Sequence, residues 1–305
     1  MKIFLIFLLD TFIIGYYLDY NLRLKTVKLH YKLSIFVLLI ISATPLFSAD
    51  VGDDVAGTLF HHVLNGTEIT VFPGIAPITL PFGISVHGFM IFLAVVLIAG
   101  LFLLTIKKGV RKPVGMAVFL ESIVLFVRDD IVYPVMGEKK GEGWLVFFST
   151  QFLFISTINL LGLIPSFKSA TGNINVTIAM ALMVFLLIFI IGIKNLGLLS
   201  FFKNLYPEGA SLPIGIFVSL LELMGLFTKS IVLSLRLFAN MFAGHLAILS
   251  FLVLIFVINP YFGFVAVPFA VFTYTLEVLV ALLQAFVFTL LSCIFISMAS
   301  TPEGE

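Results

Sequence analysis

The chain has 305 residues, of which 61% are hydrophobic and only 11% charged, and its formal net charge is +1. Soluble domains carry about a quarter charged residues, so a water-soluble globule is excluded, and the neutral balance gives no electrostatic basis for a nucleic-acid partner. A single cysteine, Cys293, excludes a disulfide framework and a cysteine-based metal site. Several apolar runs exceed the roughly 20 residues needed to cross a hydrocarbon core, which predicts an all-α polytopic membrane protein.

Residues 1–49 hold two apolar runs separated by Arg23, Lys25, Lys28 and Lys32. The second follows that basic flank and ends Phe47-Ser48-Ala49-Asp50, the layout of a secretory signal peptide. The favoured reading is a leader over 1–49; one or two retained membrane helices are the alternative. Residues 50–85 are turn-rich, with Pro73, Pro77 and Pro81, and hold no Lys or Arg. The bias of cytoplasmic loops towards basic residues therefore places them on the outer side. His61, His62 and His87 lie in or near this segment and read as surface histidines, because no third ligand cluster supports a metal site. Asn65-Gly66-Thr67 and Asn175-Val176-Thr177 match the glycosylation pattern, which is too short to carry a function.

Residues 86–305 form the expected membrane domain. The first span, near 86–106, stops at Lys107, Lys108, Arg111 and Lys112, a cluster that marks the inner side. Val114 to Val135 mixes apolar residues with Glu121, Arg128, Asp129 and Asp130, which predicts an interfacial amphipathic helix. A second span near 144–164 has Trp144 at its start, a residue enriched at membrane interfaces, and a third near 175–193 returns to Lys194 and Lys203. Residues 214–258 contain no proline, and 261–298 are similarly long, with Pro268 near the start. At about 1.5 Å per residue the first of these makes roughly 67 Å of helix, twice a bilayer core. Neither has turn residues at its middle. Two long, steeply tilted antiparallel helices are therefore preferred to two hairpins. The count is about five transmembrane helices, amino end outside and carboxyl end in the cytoplasm.

Polar residues punctuate the last two spans. Glu222, Lys229 and Arg236 are seven apart and share one helix face with about 20° of drift per step; Asn240, four residues on from Arg236, stays near it. Glu277 and Gln284 are again seven apart on the last helix. In antiparallel packing Gln284 comes level with Arg236 and Asn240, and Glu277 with His245. His245 and Glu277 are then titratable groups at outer depth, Glu222 is one at inner depth, and Arg236 is a fixed cation between them. Glu222 at headgroup level, Lys229 snorkelling inward and Gln284 as helix–helix glue are the plainer readings of those residues. Ala239, Ala243 and Gly244, with Ala281 and Ala285, permit close helix approach. An arginine at membrane depth costs at least about 2.5–3.5 kcal/mol and cannot deprotonate, so it needs a carboxylate, and the better candidate lies on another protein.

The run Ser234-Leu235-Arg236-Leu237-Phe238-Ala239-Asn240-Met241-Phe242-Ala243-Gly244-His245 closely resembles the signature of subunit a of the F-type ATP synthase. Phe154–Pro165 (FISTINLLGLIP), Thr171–Thr177 (TGNINVT) and Glu277 with Gln284 add to a resemblance covering roughly residues 55–300. The resemblance implies a non-catalytic subunit of a bacterial inner-membrane complex, without cofactor. Its implied partners are the ring of c subunits, the peripheral-stalk b subunits and the other synthase subunits within the lipid bilayer. It implies proton translocation by Arg236 facing each ring carboxylate, Asn240, His245, Glu277 and Gln284 in an outer half-channel, and Glu222 at the inner exit. Some members carry acid and imidazole in the opposite order at the positions of His245 and Glu277. Asn159 matches a family asparagine, and Gly162 stands where some members carry an acid. A secondary transporter would favour inverted repeats and broken helices, and a passive scaffold leaves the arginine unexplained. No phosphate-binding loop or nucleophile triad occurs, so nucleotide chemistry falls to partners.

Overall fold

The computed structural model describes residues 68–69, 78–79, 85–105, 115–164, 167–197, 212–257, 261 and 263–300. The expected leader over 1–49, most of the segment 50–85 with His61 and His62, the basic cluster Lys107–Lys112, and Lys203 with Pro207 lie outside the described residues. A two-residue antiparallel pairing of β1 (Glu68–Ile69) with β2 (Ile78–Thr79) precedes the first span. From Val86 onward the described chain is helical in all its regular structure, and five helices are long and apolar enough to cross a membrane.

The first span is α1 (Val86–Thr105). Helix α2 (Met116–Phe126) follows and buries Ala117, Leu120 and Val124, three residues on one side. It runs without a loop through a π-helical stretch, Val127–Val132, into α3 (Tyr133–Leu163). The direction changes at Gly137, whose φ of 73° lies in the region that favours glycine. Beyond it α3 is the most enclosed of the spans, with 83% of its most apolar window buried. Trp144, expected at the membrane interface, instead turns its ring into the bundle against Phe147 and Phe148. Helix α4 (Ile174–Leu196) opens on Asn173, whose Oδ1 accepts a hydrogen bond from the Asn175 amide at 3.0 Å and satisfies an otherwise unpaired helix-start donor.

The last two helices are continuous. Helix α5 (Leu212–Val257) has 46 residues, with Pro213 in its first turn where a missing N–H costs nothing. Helix α6 (Gly263–Ser300) has 38 and accommodates Pro268 internally. The hairpin alternative is thereby removed. Three contacts give their relation: Phe251 with Phe269, His245 with Glu277, and Lys229 with Phe295. The α6 number rises as the α5 number falls, so the helices are antiparallel, and Gln284 comes level with the turn between Arg236 and Asn240.

Helix α6 is the hub, packing against α3, α4 and α5. The main core is built from α1, α2, α3, α4 and α6, while α5 adds only Leu233 and Leu237. Only 11% of the most apolar window of α5 is buried. Its surface carries Ile216, Phe217, Leu220, Met224, Ile231, Val232 and Leu235, all exposed. In lipid such contacts are neutral, so polar bonds and close packing hold the helices. Gln151 Nε2 donates to Ser292 Oγ at 3.2 Å, and Ser234 Oγ to Thr177 Oγ1 at 3.1 Å. Bonds of this kind average about 0.6 kcal/mol in membranes. Cys293 is fully buried, as its apolar surroundings in the sequence suggest.

Close packing is tightest at Gly162, near the end of α3. A Cβ there would lie 2.6 Å from Ser169 Cβ and 2.7 Å from Ser169 Cα. Gly162→Ala should therefore lower the thermal midpoint of the purified protein in detergent, through an overpacking cost of about 1–3 kcal/mol; an unchanged midpoint would contradict the contact.

Candidate functional site

Helices α5 and α6 carry the candidate residues and divide them between two surfaces. On the open side of α5, Glu222, Lys229 and Arg236 are all exposed, and Asn240 is half-buried beside them. Lys229 and Arg236 share a groove of about 590 Å³ whose walls include Gly225, Val232, Leu291 and Phe295. Lys229 places its Nζ 5.6 Å over the Phe295 ring, a cation–π contact that ties it to α6 instead of leaving it to snorkel freely. Glu222 does not line this groove. Among the described residues, no carboxylate lies within ion-pair distance of Arg236.

Ala239 and Ala243 are also exposed, on the same side as Arg236. The expectation that they help α5 approach α6 is corrected: at helical spacing they fall on the open face, where they keep the surface around the arginine low. Gly244, Ala281 and Ala285 take the packing role. Ala281 and Ala285 are fully buried, and Ala281 clusters with Leu163 and Met241.

The second surface is the seam between α5 and α6. His245 Nδ1 stands 3.7 Å from Glu277 Oε1. That is within ion-pair reach but too long for a formed hydrogen bond. Glu277 and Gln284 are each only 6% exposed. Both Glu277 oxygens, His245 Nε2 and Gln284 Nε2 are buried without a hydrogen-bonding partner. Buried polar groups are nearly always paired, so these four atoms set the α5–α6 seam apart from the apolar packing around it. Gly244 makes the seam possible. A Cβ there would sit 2.5 Å from Glu277 Oε1 and 2.6 Å from its Cδ.

A third polar group joins α3 to α6. Thr171 Oγ1 donates to Asn159 Oδ1 at 2.8 Å, and Asn159 Nδ2 donates to the Ala281 carbonyl at 3.1 Å. Asn159 is fully buried and paired at both ends, so it pins the 167–173 loop and α3 to α6 one turn from Glu277. Half-buried Lys168 lies in this loop, and burial holds its ammonium below the usual lysine range.

His87 departs from expectation. It is 2% exposed, not a surface residue. It lies at the start of α1, as the span near 86–106 implies, but the 167–173 loop covers it, with Ser169, Ala170 and Thr171 all buried. Nothing in the sequence around His87 signals a cover supplied from some eighty residues away. Ser234 with Thr177 and Gln151 with Ser292 were likewise missed; polar residues one turn apart inside apolar helices are the signal that points to such pairs.

The sequence model described as ATP synthase A chain matches residues 88–297. The chain belongs to that family. ATP synthase subunit a 2 of Prosthecochloris aestuarii is 38% identical over 273 residues, covering 84% of this chain and 83% of that protein. ATP synthase subunit a of Chloroherpeton thalassium is 42% identical over 262 residues, covering 80% and 77%. ATP synthase subunit a 2 of Chlorobium luteolum is 38% identical over 269 residues, covering 83% and 78%. The ATP synthase A chain match runs from the start of α1 nearly to the end of α6 and so takes in both surfaces.

The seam can be probed without reference to activity. Gly244→Val should lower the thermal midpoint of the purified protein in detergent, and adding Glu277→Ala, which removes the atoms the new side chain would meet, should restore much of the loss. An equal loss with and without Glu277 would contradict the packing of Glu277 on Gly244.

Proposed function

We propose that the chain is the proton-translocating stator subunit of an F-type ATP synthase, with two offset half-channels opening onto a ring of c subunits. It is a membrane-sector subunit and not the ATP-converting enzyme; the nucleotide chemistry belongs to other subunits of the complex. The observation that carries the reading is Arg236: a permanent cation, exposed on the apolar open face of α5, with no carboxylate within reach among the described residues.

The physics runs from that charge. A guanidinium in lipid needs a counter-charge, and a ring of passing carboxylates supplies one at each step. Facing Arg236, a ring carboxyl is favoured as the anion and gives up its proton. Once past, it must be reprotonated before it enters lipid. Ala239 and Ala243 beside Arg236 leave room for a moving partner to approach. The cation also repels a proton crossing directly between the half-channels, so passage requires rotation.

His245, Glu277, Gln284 and Asn240 form the outer half-channel in this reading, supported by the unpaired polar atoms of the α5–α6 seam. Glu222 serves the inner exit. The amino end lies outside and the carboxyl end in the cytoplasm, in line with the basic residues of the sequence. The b subunits of the peripheral stalk hold the chain against the turning ring.

Arg236→Ala should abolish ATP-driven proton pumping by the whole complex in reconstituted vesicles, followed by quenching of a pH-sensitive dye; pumping at near-parental rate would overturn the assignment. Single cysteines at Asn240, His245 and Gln284 should inhibit pumping when treated with aqueous silver, whereas cysteines at the exposed Leu220 or Phe217 should not. Uniform inertness would remove the water-filled path.

A further inference from the structure

His87 has no part in the site described so far, yet it is the most fully buried histidine among the described residues, at 2% exposure. The Ser169 backbone can satisfy one ring nitrogen at most, so at least one buried nitrogen has no hydrogen-bonding partner. An imidazole buried in this way costs about 1–3 kcal/mol that a leucine or phenylalanine of similar size would avoid. Packing alone therefore does not account for it.

Its surroundings lead somewhere. His87 lies beside Lys168 and the backbone of Ser169. Ser169 Oγ is 3.0 Å from Thr171 Oγ1, Thr171 reaches Asn159, and Asn159 reaches the carbonyl of Ala281. Ala281 stands on α6 between Glu277 and Gln284, whose side-chain atoms are also unpaired. A chain of polar contacts thus runs from α1 to the Ala281 carbonyl on α6, one turn from Glu277. At its centre, Ser169 fills the space beside Gly162 that a side chain would need. An acid at that position has no room, so a proton carrier must come from elsewhere.

We propose that His87 is a proton-relay residue at the mouth of the outer half-channel, passing protons from outside water along the Ser169–Thr171–Asn159 seam towards Glu277. This rests on the stator reading above. One ring nitrogen takes a proton from a water molecule admitted from the outer side and the other releases one to water along the seam, so the imidazole returns to its neutral form and only N–H and O–H bonds change. Asn159, held at both ends, lines the route without carrying the proton. Lys168 is the charged side chain beside His87. The second half of α3, residues 144–163, contributes no titratable group. Glu121, Arg128, Asp129 and Asp130 belong to α2 and the π-helical stretch, which follow the opposite end of α1.

The test uses whole complexes in vesicles, with ATP synthesis driven by an imposed proton gradient and measured against the pH of the compartment that corresponds to the outside. His87→Gln and His87→Leu should slow synthesis roughly tenfold, within the range for loss of one proton-transfer group, with the deficit widening as that pH rises. His87→Asp should recover much of the rate with its profile moved to lower pH. The amount of assembled subunit is read in parallel on native gels. A His87→Gln rate and profile equal to the parent would overturn the proposal. So would a loss in all three variants that tracks loss of assembled subunit, which marks a structural role. Arg236→Ala separates the two readings: if it still pumps, the stator reading falls and this one with it, whereas an inactive Arg236→Ala beside a normal His87→Gln removes His87 alone.

Discussion

A guanidinium that cannot lose its proton must be neutralised by something outside itself, and in this chain that constraint falls on Arg236. Everything near it is consistent with a counter-charge that arrives from another molecule. Among the described residues the two carboxylates in ion-pair contacts are Asp129, held by Arg128, and Glu277, turned towards His245. Helix α5 stands at the margin of the core, so the arginine faces outward, and small residues lower the surface beside it. The proposed stator role uses these properties together: a charge that does not change, on a face that is not filled.

The inner side of the same helix obeys the opposite rule. There α5 and α6 approach until a carboxyl group occupies the place of a missing side chain at Gly244. One helix thus presents Arg236 to the open side and encloses the His245–Glu277 pair on the other, so the buried carboxylate does not pair with the arginine.

Much of this was legible in the sequence, for identifiable reasons. Apolar runs of membrane length have few structural alternatives, so the helices were readable, and the lack of turn residues favoured single long helices at the end of the chain. Seven-residue spacing placed Glu222, Lys229 and Arg236 on one face without any tertiary information. What escaped depended on distant segments. Ala239 and Gly244 are both small and lie five residues apart, so only the partner helix decides which packs and which is exposed. His87 follows a stretch rich in proline and glycine and reads as a surface residue until the 167–173 loop covers it. Trp144 reads as an interfacial ring, but the neighbouring phenylalanines draw it inward. The π-helical stretch at Val127–Val132 has no signal in composition, because it is a local adjustment of hydrogen bonding and not of hydrophobicity.

The sparse burial of α5 has a consequence for biogenesis. A newly inserted copy of this chain holds its longest helix against lipid, with a guanidinium facing hydrocarbon or dragging headgroups inward to meet it. The folded chain is thus incomplete as a membrane solute until another surface closes over that face.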